Sequence, residues 1–255
     1  LPEPGKNDFE FIRKCFTMNL KVKKPTMTDK TMGKTHRLRT FFVVLCLILA
    51  SITAITLYLL GSTPTFYQPT PPPPQGQVSP YLTHKLGPDF FNSVQLDKPF
   101  ELVVEQQGLN EIFASQCPEP QTYGGFSFSA AVAAFTADKV VLMTTVGFKD
   151  ASSVLSITAQ PIMDQAGRVN LNINSVKLGA IPVTSLAKNL AQKYADEYII
   201  PSEPELAPIV YGVLNNQPFE PMGSVSNYKI RVKKFTLEQG KLILQIEPVK
   251  EEKKN

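Results

Sequence analysis

Apolar and polar positions follow one another along this chain in three rhythms, each predicting a different structure. Residues 41–60 read FFVVLCLILASITAITLYLL, twenty positions without a charge. A helix rises about 1.5 Å per residue, so this run is about 30 Å long, the thickness of a bilayer's hydrocarbon core. A core helix of a soluble domain would carry a polar stripe. Here only scattered Ser and Thr interrupt the run, and their hydroxyls can bond back to helix carbonyls. The pattern predicts a transmembrane helix over 41–61.

From Pro99 the rhythm changes to period two. A short strand is expected at 100–105 and a short helix at 108–115, with Leu109, Ile112 and Phe113 on one side. Four longer strands are expected at 125–136, 139–148, 153–162 and 168–178. The clearest alternation sets Val169, Leu171 and Ile173 against Asn170, Asn172 and Asn174. The apolar phase then moves to Val176 and Leu178, which predicts a bulge. The joints, such as Ala137-Asp138 and Lys149-Asp150-Ala151, are too short for parallel crossovers, so an antiparallel meander follows.

The third rhythm is helical. Over 183–199, Leu186, Leu190, Tyr194 and Tyr198 recur every four residues beside Ala187, Ala191 and Ala195. This narrow apolar stripe suits a helix lying on a sheet, with Thr184 or Ser185 as its cap after Pro182. A proline-rich passage, 201–221, leaves 209–214 open as strand or helix. A closing hairpin joins 228–238 to 241–247 through Gln239-Gly240. The expected fold class is α+β: one N-terminal transmembrane helix plus a curved antiparallel β-meander packed with one main helix and a short helix.

Residues 62–80 hold seven prolines, four of them at 71–74. Such a segment favours extended polyproline II and is expected to be a semi-rigid stalk, reaching about 50 Å at ~3.1 Å per residue. The expected divisions are a basic cytoplasmic tail (1–40), the transmembrane helix (41–61), the Pro-rich stalk (62–80), an extracytoplasmic α+β domain (81–249) and a charged tail (250–255).

Charge orients the chain. Residues 1–40 carry ten Lys/Arg against four Asp/Glu, and the remainder sixteen against eighteen. Lys34, Arg37 and Arg39 stand just before the apolar run, and no charge follows it until Lys85. By the positive-inside rule the N-terminus is cytoplasmic and the rest is translocated, placing the protein at the cell membrane as a single-pass anchor. Cleavage after 61–63 is disfavoured by Pro64. A nucleic-acid binder would concentrate positive charge in its folded part, so no nucleic acid is expected as partner. Position 1 is Leu, leaving Met18, Met27 and Met32 as candidate starts. Cys15, Cys46 and Cys117 fall in three different regions, so no disulfide within the domain is expected and a hydrophobic core must hold it.

The residue types and spacings of most catalytic and metal sites are missing from the strand-rich region. His36 lies in the tail and His84 at the end of the stalk, which leaves the strand-rich region without a histidine for a triad or a metal site. Neither a phosphate-binding GxxxxGK[ST] nor a GxGxxG loop occurs. Ser185-Leu186-Ala187-Lys188 matches S-x-x-K, in which Ser185 would be nucleophile and Lys188 its base, but the companion motifs are missing. The expectation is therefore no enzyme, no cofactor and no metal. Asp138, Asp150 and Asp164 fall at successive turns, where Asp is common for conformational reasons alone.

Two features suggest binding. Residues 139–148 are apolar on both faces, and Phe126 and Phe128 alternate with small residues. This fits a sheet with one face in the core and one lining an apolar groove, and it equally fits an ordinary buried central strand. The groove would be lined by Phe126, Phe128, Leu142, Leu155, Ile157, Leu171, Ile173, Leu186 and Leu190. Lys229, Arg231 and Lys233 form a basic stripe on one strand face, which either contacts anionic groups or is a solvated, aggregation-blocking edge.

The stretch 154–248 resembles the YpmS family, small bacterial proteins with an N-terminal anchor and an extracytoplasmic domain. The carrying residues are Pro161, GRVNL at 167–171, SVKLGAIPV at 175–183 and the hairpin at 235–246. The Ala-rich strand at 130–134 and the passage 201–221 depart from the family. The resemblance implies an anchored domain of the cell envelope and supplies no catalytic residues. The function expected is non-enzymatic binding of a lipid-like or other apolar ligand near the bilayer. The alternative is a scaffold docking an envelope or cell-wall protein by its sheet edge or basic stripe.

Overall fold

The computed structural model describes residues 32–74 and 77–249. What the sequence predicts for the tail up to residue 31 and for 250–255 lies outside the described residues. The chain divides into two compact units, 1–51 and 52–255. Helix α1 (Met32–Leu60) begins nine residues before the apolar run. Its stretch Arg39–Leu60 is long and apolar enough to cross a membrane, and none of its most apolar window is buried.

The second unit is α+β with every strand pairing antiparallel, but it holds two sheets where one meander is expected. The first sheet contains β1 (Phe100–Glu105), β8 (Met222–Val225), β9 (Tyr228–Glu238) and β10 (Lys241–Pro248), ordered β1-β10-β9-β8. The second runs in chain order through β2 (Gln121–Tyr123), β3 (Phe126–Phe135), β4 (Val140–Phe148), β5 (Ala151–Met163), β6 (Val169–Leu178) and β7 (Ile181–Pro182). The closing hairpin thus forms where expected, yet it pairs with β1 rather than extending the meander. The longer helices of this unit are α2 (Gly87–Val94), which precedes β1, and α3 (Gln106–Gln116), α4 (Thr184–Tyr194) and α5 (Ala207–Asn215), which connect strands.

Each sheet has its own core. On the first, Phe90 and Val94 of α2 pack with Leu102 and Ile246. On the second, Val132, Ala134, Met143 and Val154 cluster, and Tyr67 from the Pro-rich segment packs against them. The Tyr67 hydroxyl bonds Thr145 Oγ1 at 2.6 Å and donates to Ala130 O at 3.0 Å. That segment is therefore fixed to the sheet at Tyr67, where the sequence suggests a spacer holding the domain away. The sheets meet through Gln106, whose side chain accepts from Phe135 N while its own N–H donates to Gly240 O; Gly240 N donates to Phe135 O.

Two bulges shape the six-stranded sheet. One lies between Ser129 and Val132, with Ala130 in the left-handed region at φ 52°. The other leaves Asn174 as the extra residue, since Thr158 pairs with Ser175 and Ala159 with Ile173. That extra residue returns Val176 and Leu178 to the face of Val169, Leu171 and Ile173, the physical reason for the phase shift read in the sequence.

The expected main helix departs most from expectation. It is α-helical over Thr184–Tyr194, continues as a wider turn over Ala195–Ile199, and does not lie on the sheet. Leu186 and Leu190 are each 60% exposed, and Tyr194 and Tyr198 are exposed with their rings stacked 5.2 Å apart. Thr184 does not cap it. Its hydroxyl accepts from Val176 N and donates to Val176 O, stitching the helix start to the edge of β6 beyond β7.

Candidate functional site

In an antiparallel sheet, directly paired residues point to the same face and neighbours along a strand to opposite faces. The register therefore tests whether the predicted groove residues come together. Phe126 pairs with Phe148, Phe128 with Val146, and Leu142 with Ile157, while Leu171 faces Pro161 and Ile173 faces Ala159. Phe126, Phe128, Leu142, Leu155, Ile157, Leu171 and Ile173 all share one face of the six-stranded sheet. The opposite face carries the Val132, Met143 and Val154 core under Tyr67.

The shared face is closed at Ala133, Phe135, Val169 and Val176, which are buried. It opens at Phe126, Leu142 and Phe148, exposed by 43%, 44% and 46%. Leu186 and Leu190 do not join the closed part, because the helix that carries them presents them to solvent. The structure adds Phe148 to the set. Its ring centroid lies 5.0 Å from that of Phe126, and Lys149 Nζ stands 5.5 Å over the Phe148 ring. Sequence reasoning could have found Phe148 from the two-residue turn that follows it, which brings β4 and β5 into a fixed register.

A cavity of about 300 Å³ lies elsewhere, beside the four-stranded sheet, lined by Val94, Gln95, Asp97, Asn227, Tyr228, Lys229, Pro248 and Val249. Lys229 is the one predicted site residue in it.

The basic stripe is largely engaged. Lys233 Nζ lies 3.2 Å from Glu247, and Arg231 lies 3.9 Å from Glu220 and donates to Met222 Sδ at 3.5 Å. Lys229 also has an interaction of its own. Ser185 and Lys188 are both exposed in the first two turns of α4. Asp138 and Asp164 stand at one end of the sheet and Asp150 at the other. Among the described residues, no three metal-ligating side chains cluster.

Perturbed titrations lie away from the apolar face. A hydrogen bond from Arg168 N–H holds the Asp164 carboxyl below the usual carboxylate range. The Lys85 ammonium is raised by its hydrogen bond to Glu105 at 2.6 Å, and the Tyr211 phenol by the one it donates to Asp196 at 2.8 Å. All three pairs lie at or near the surface, with Glu105, Asp164 and Tyr211 partly buried.

No protein-family model matches this chain, and neither the curated proteins nor the solved structures include a match to it.

Proposed function

We propose that this chain is a membrane-anchored binding protein of the cell envelope, akin to the YpmS family. It uses the open apolar face of its six-stranded sheet to hold a lipid-like or other apolar ligand. In this reading residues 39–60 span the bilayer, Lys34, Arg37 and Arg39 keep the N-terminus in the cytoplasm, and the sheets lie outside. One observation carries the ligand reading: seven apolar side chains share a single face, and that face is open at Phe126, Leu142 and Phe148. Large contiguous apolar patches are uncommon on soluble surfaces and mark interaction sites. The scaffold alternative draws less from the geometry, because two of the three stripe cations already face carboxylates.

The test uses the full chain in detergent, since Tyr67 belongs to the core and a fragment begun at 78 would lose it. Uptake of a fluorescent fatty-acyl probe is measured for Leu142→Asp and for Ile162→Asp. Ile162 is 50% exposed and points to the opposite face. Loss of uptake in the first alone supports the reading. Equal uptake in both variants and the parent removes the sheet face as the binding site.

A further inference from the structure

The carbonyls of a helix's last turn have no partner within the helix and must find one elsewhere. At the end of α1 the six-stranded sheet supplies them. Ala180 N donates to Leu59 O at 2.8 Å, and Ser153 Oγ donates to Leu60 O at 2.6 Å. Gly179 lies between these donors at φ 59°, so close that an added Cβ would overlap the carbonyls of Leu59 and Leu60. Only glycine combines that backbone angle with that approach.

Ser153 is two residues from Ala151, which pairs with Phe148, which in turn pairs with Phe126. The exposed aromatic pair therefore stands within two or three residues of the point where the apolar helix ends. Tyr58, 80% exposed, sits in the last helical turn. Tyrosine gathers at the water–lipid boundary and phenylalanine rings bury on its acyl side, while Lys149 beside Phe148 can reach the headgroups, with Asp150 next to it reducing the net charge of the turn.

We infer that the Phe126–Phe148 end of the sheet is a membrane-contact surface, seated in the interface of the bilayer that holds α1. This rests on the reading that α1 spans the membrane. The domain then lies on the lipid surface, and the Pro-rich segment loops back onto the sheet without lifting it.

The chain has no tryptophan, so single-Trp variants report without background. The 255-residue chain is reconstituted in phosphatidylcholine vesicles, with and without lipids brominated near the headgroup end of the acyl chain. Phe148→Trp, and Phe126→Trp as a second position, should lose most of their emission to the bromolipid. Ile162→Trp, toward the other end of β5, should keep it. Leu47→Trp reports on the helix itself. Quenching of Leu47→Trp with neither aromatic position quenched overturns the contact and leaves the anchor standing. No quenching at any position overturns the anchor. Quenching of Phe148→Trp that disappears when Leu142→Asp is added would assign it to a lipid bound on the sheet face, which also overturns the contact.

Discussion

Asn110 treats Ala133 as a neighbouring strand would: its Oδ1 accepts from Ala133 N at 2.7 Å and its Nδ2 donates to Ala133 O at 3.0 Å. β2 covers the edge of β3 only at residues 126–128, and the amide closes the edge where that pairing has stopped. Both residues are buried, Asn110 at 6% exposure and Ala133 at 0%. Removing the amide strands two backbone groups, each costing about 1–3 kcal/mol when buried without a partner. Asn110→Ala should therefore lower stability by about 2–4 kcal/mol, read as a lower denaturant midpoint of the detergent-solubilised chain. Asn110→Asp should recover little, because a carboxylate accepts from Ala133 N but cannot donate to Ala133 O. A midpoint equal to the parent's would mean that water reaches this edge.

Gly108 gives a substitution whose sign opposes the general rule. In a helix interior Gly→Ala ordinarily stabilises by about 0.5–1 kcal/mol. Here a Cβ would overlap the Tyr81 ring, which is itself buried. Tyr81 cannot move freely, since its hydroxyl accepts from Glu105 N at 2.9 Å and donates to Val103 O at 3.3 Å along the edge of β1. Overpacking of this kind costs about 1–3 kcal/mol. Gly108→Ala should therefore destabilise by about 1–2 kcal/mol, and a stabilised variant would place Tyr81 away from α3.

Period-two alternation and short joints locate strands well, which is why β3 to β6 and the Tyr228–Lys241 hairpin were legible. Sheet membership is not a local property. Nothing in 228–248 says that Phe100 will pair with Ile246 rather than the meander with the hairpin. Helix α2 was hidden because Gly87-Pro88 reads as a breaker, whereas a proline is also welcome in a first helical turn. The stripe of Leu186 and Leu190 misleads for a related reason: amphipathic spacing says that one side is apolar, not that the chain places a sheet beneath it. Phe126, Leu142 and Leu171 share a face because a strand's facing is fixed by parity once the bulges are known. Tyr67, Asn110 and Tyr81 escaped because a single polar atom meeting a strand edge leaves no periodic trace.

The β5–β6 turn ties folding to pH through one carboxylate. Asp164 Oδ1 accepts from Ala166 N and Arg168 N at 2.9 Å each, and Oδ2 accepts from the Arg168 guanidinium at 2.8 Å. The Arg168 backbone bond is the largest of the causes that hold its carboxyl below the ordinary range. A carboxyl whose folded value is depressed contributes stability that is present above the unfolded value, about 3.9, and is lost as pH falls through the lower folded value. The turn should therefore weaken between pH 4 and the Asp164 midpoint, not around neutrality. Carboxyl NMR titration should show the Asp164 resonance changing below that ordinary value. Asp164→Asn keeps an acceptor for the turn but cannot ionise, so the variant's stability should vary less steeply with pH below about 4. An Asp164 midpoint at or above the ordinary value, with parent and variant following the same acid limb, would show that Arg168 N–H does not hold the carboxylate in solution.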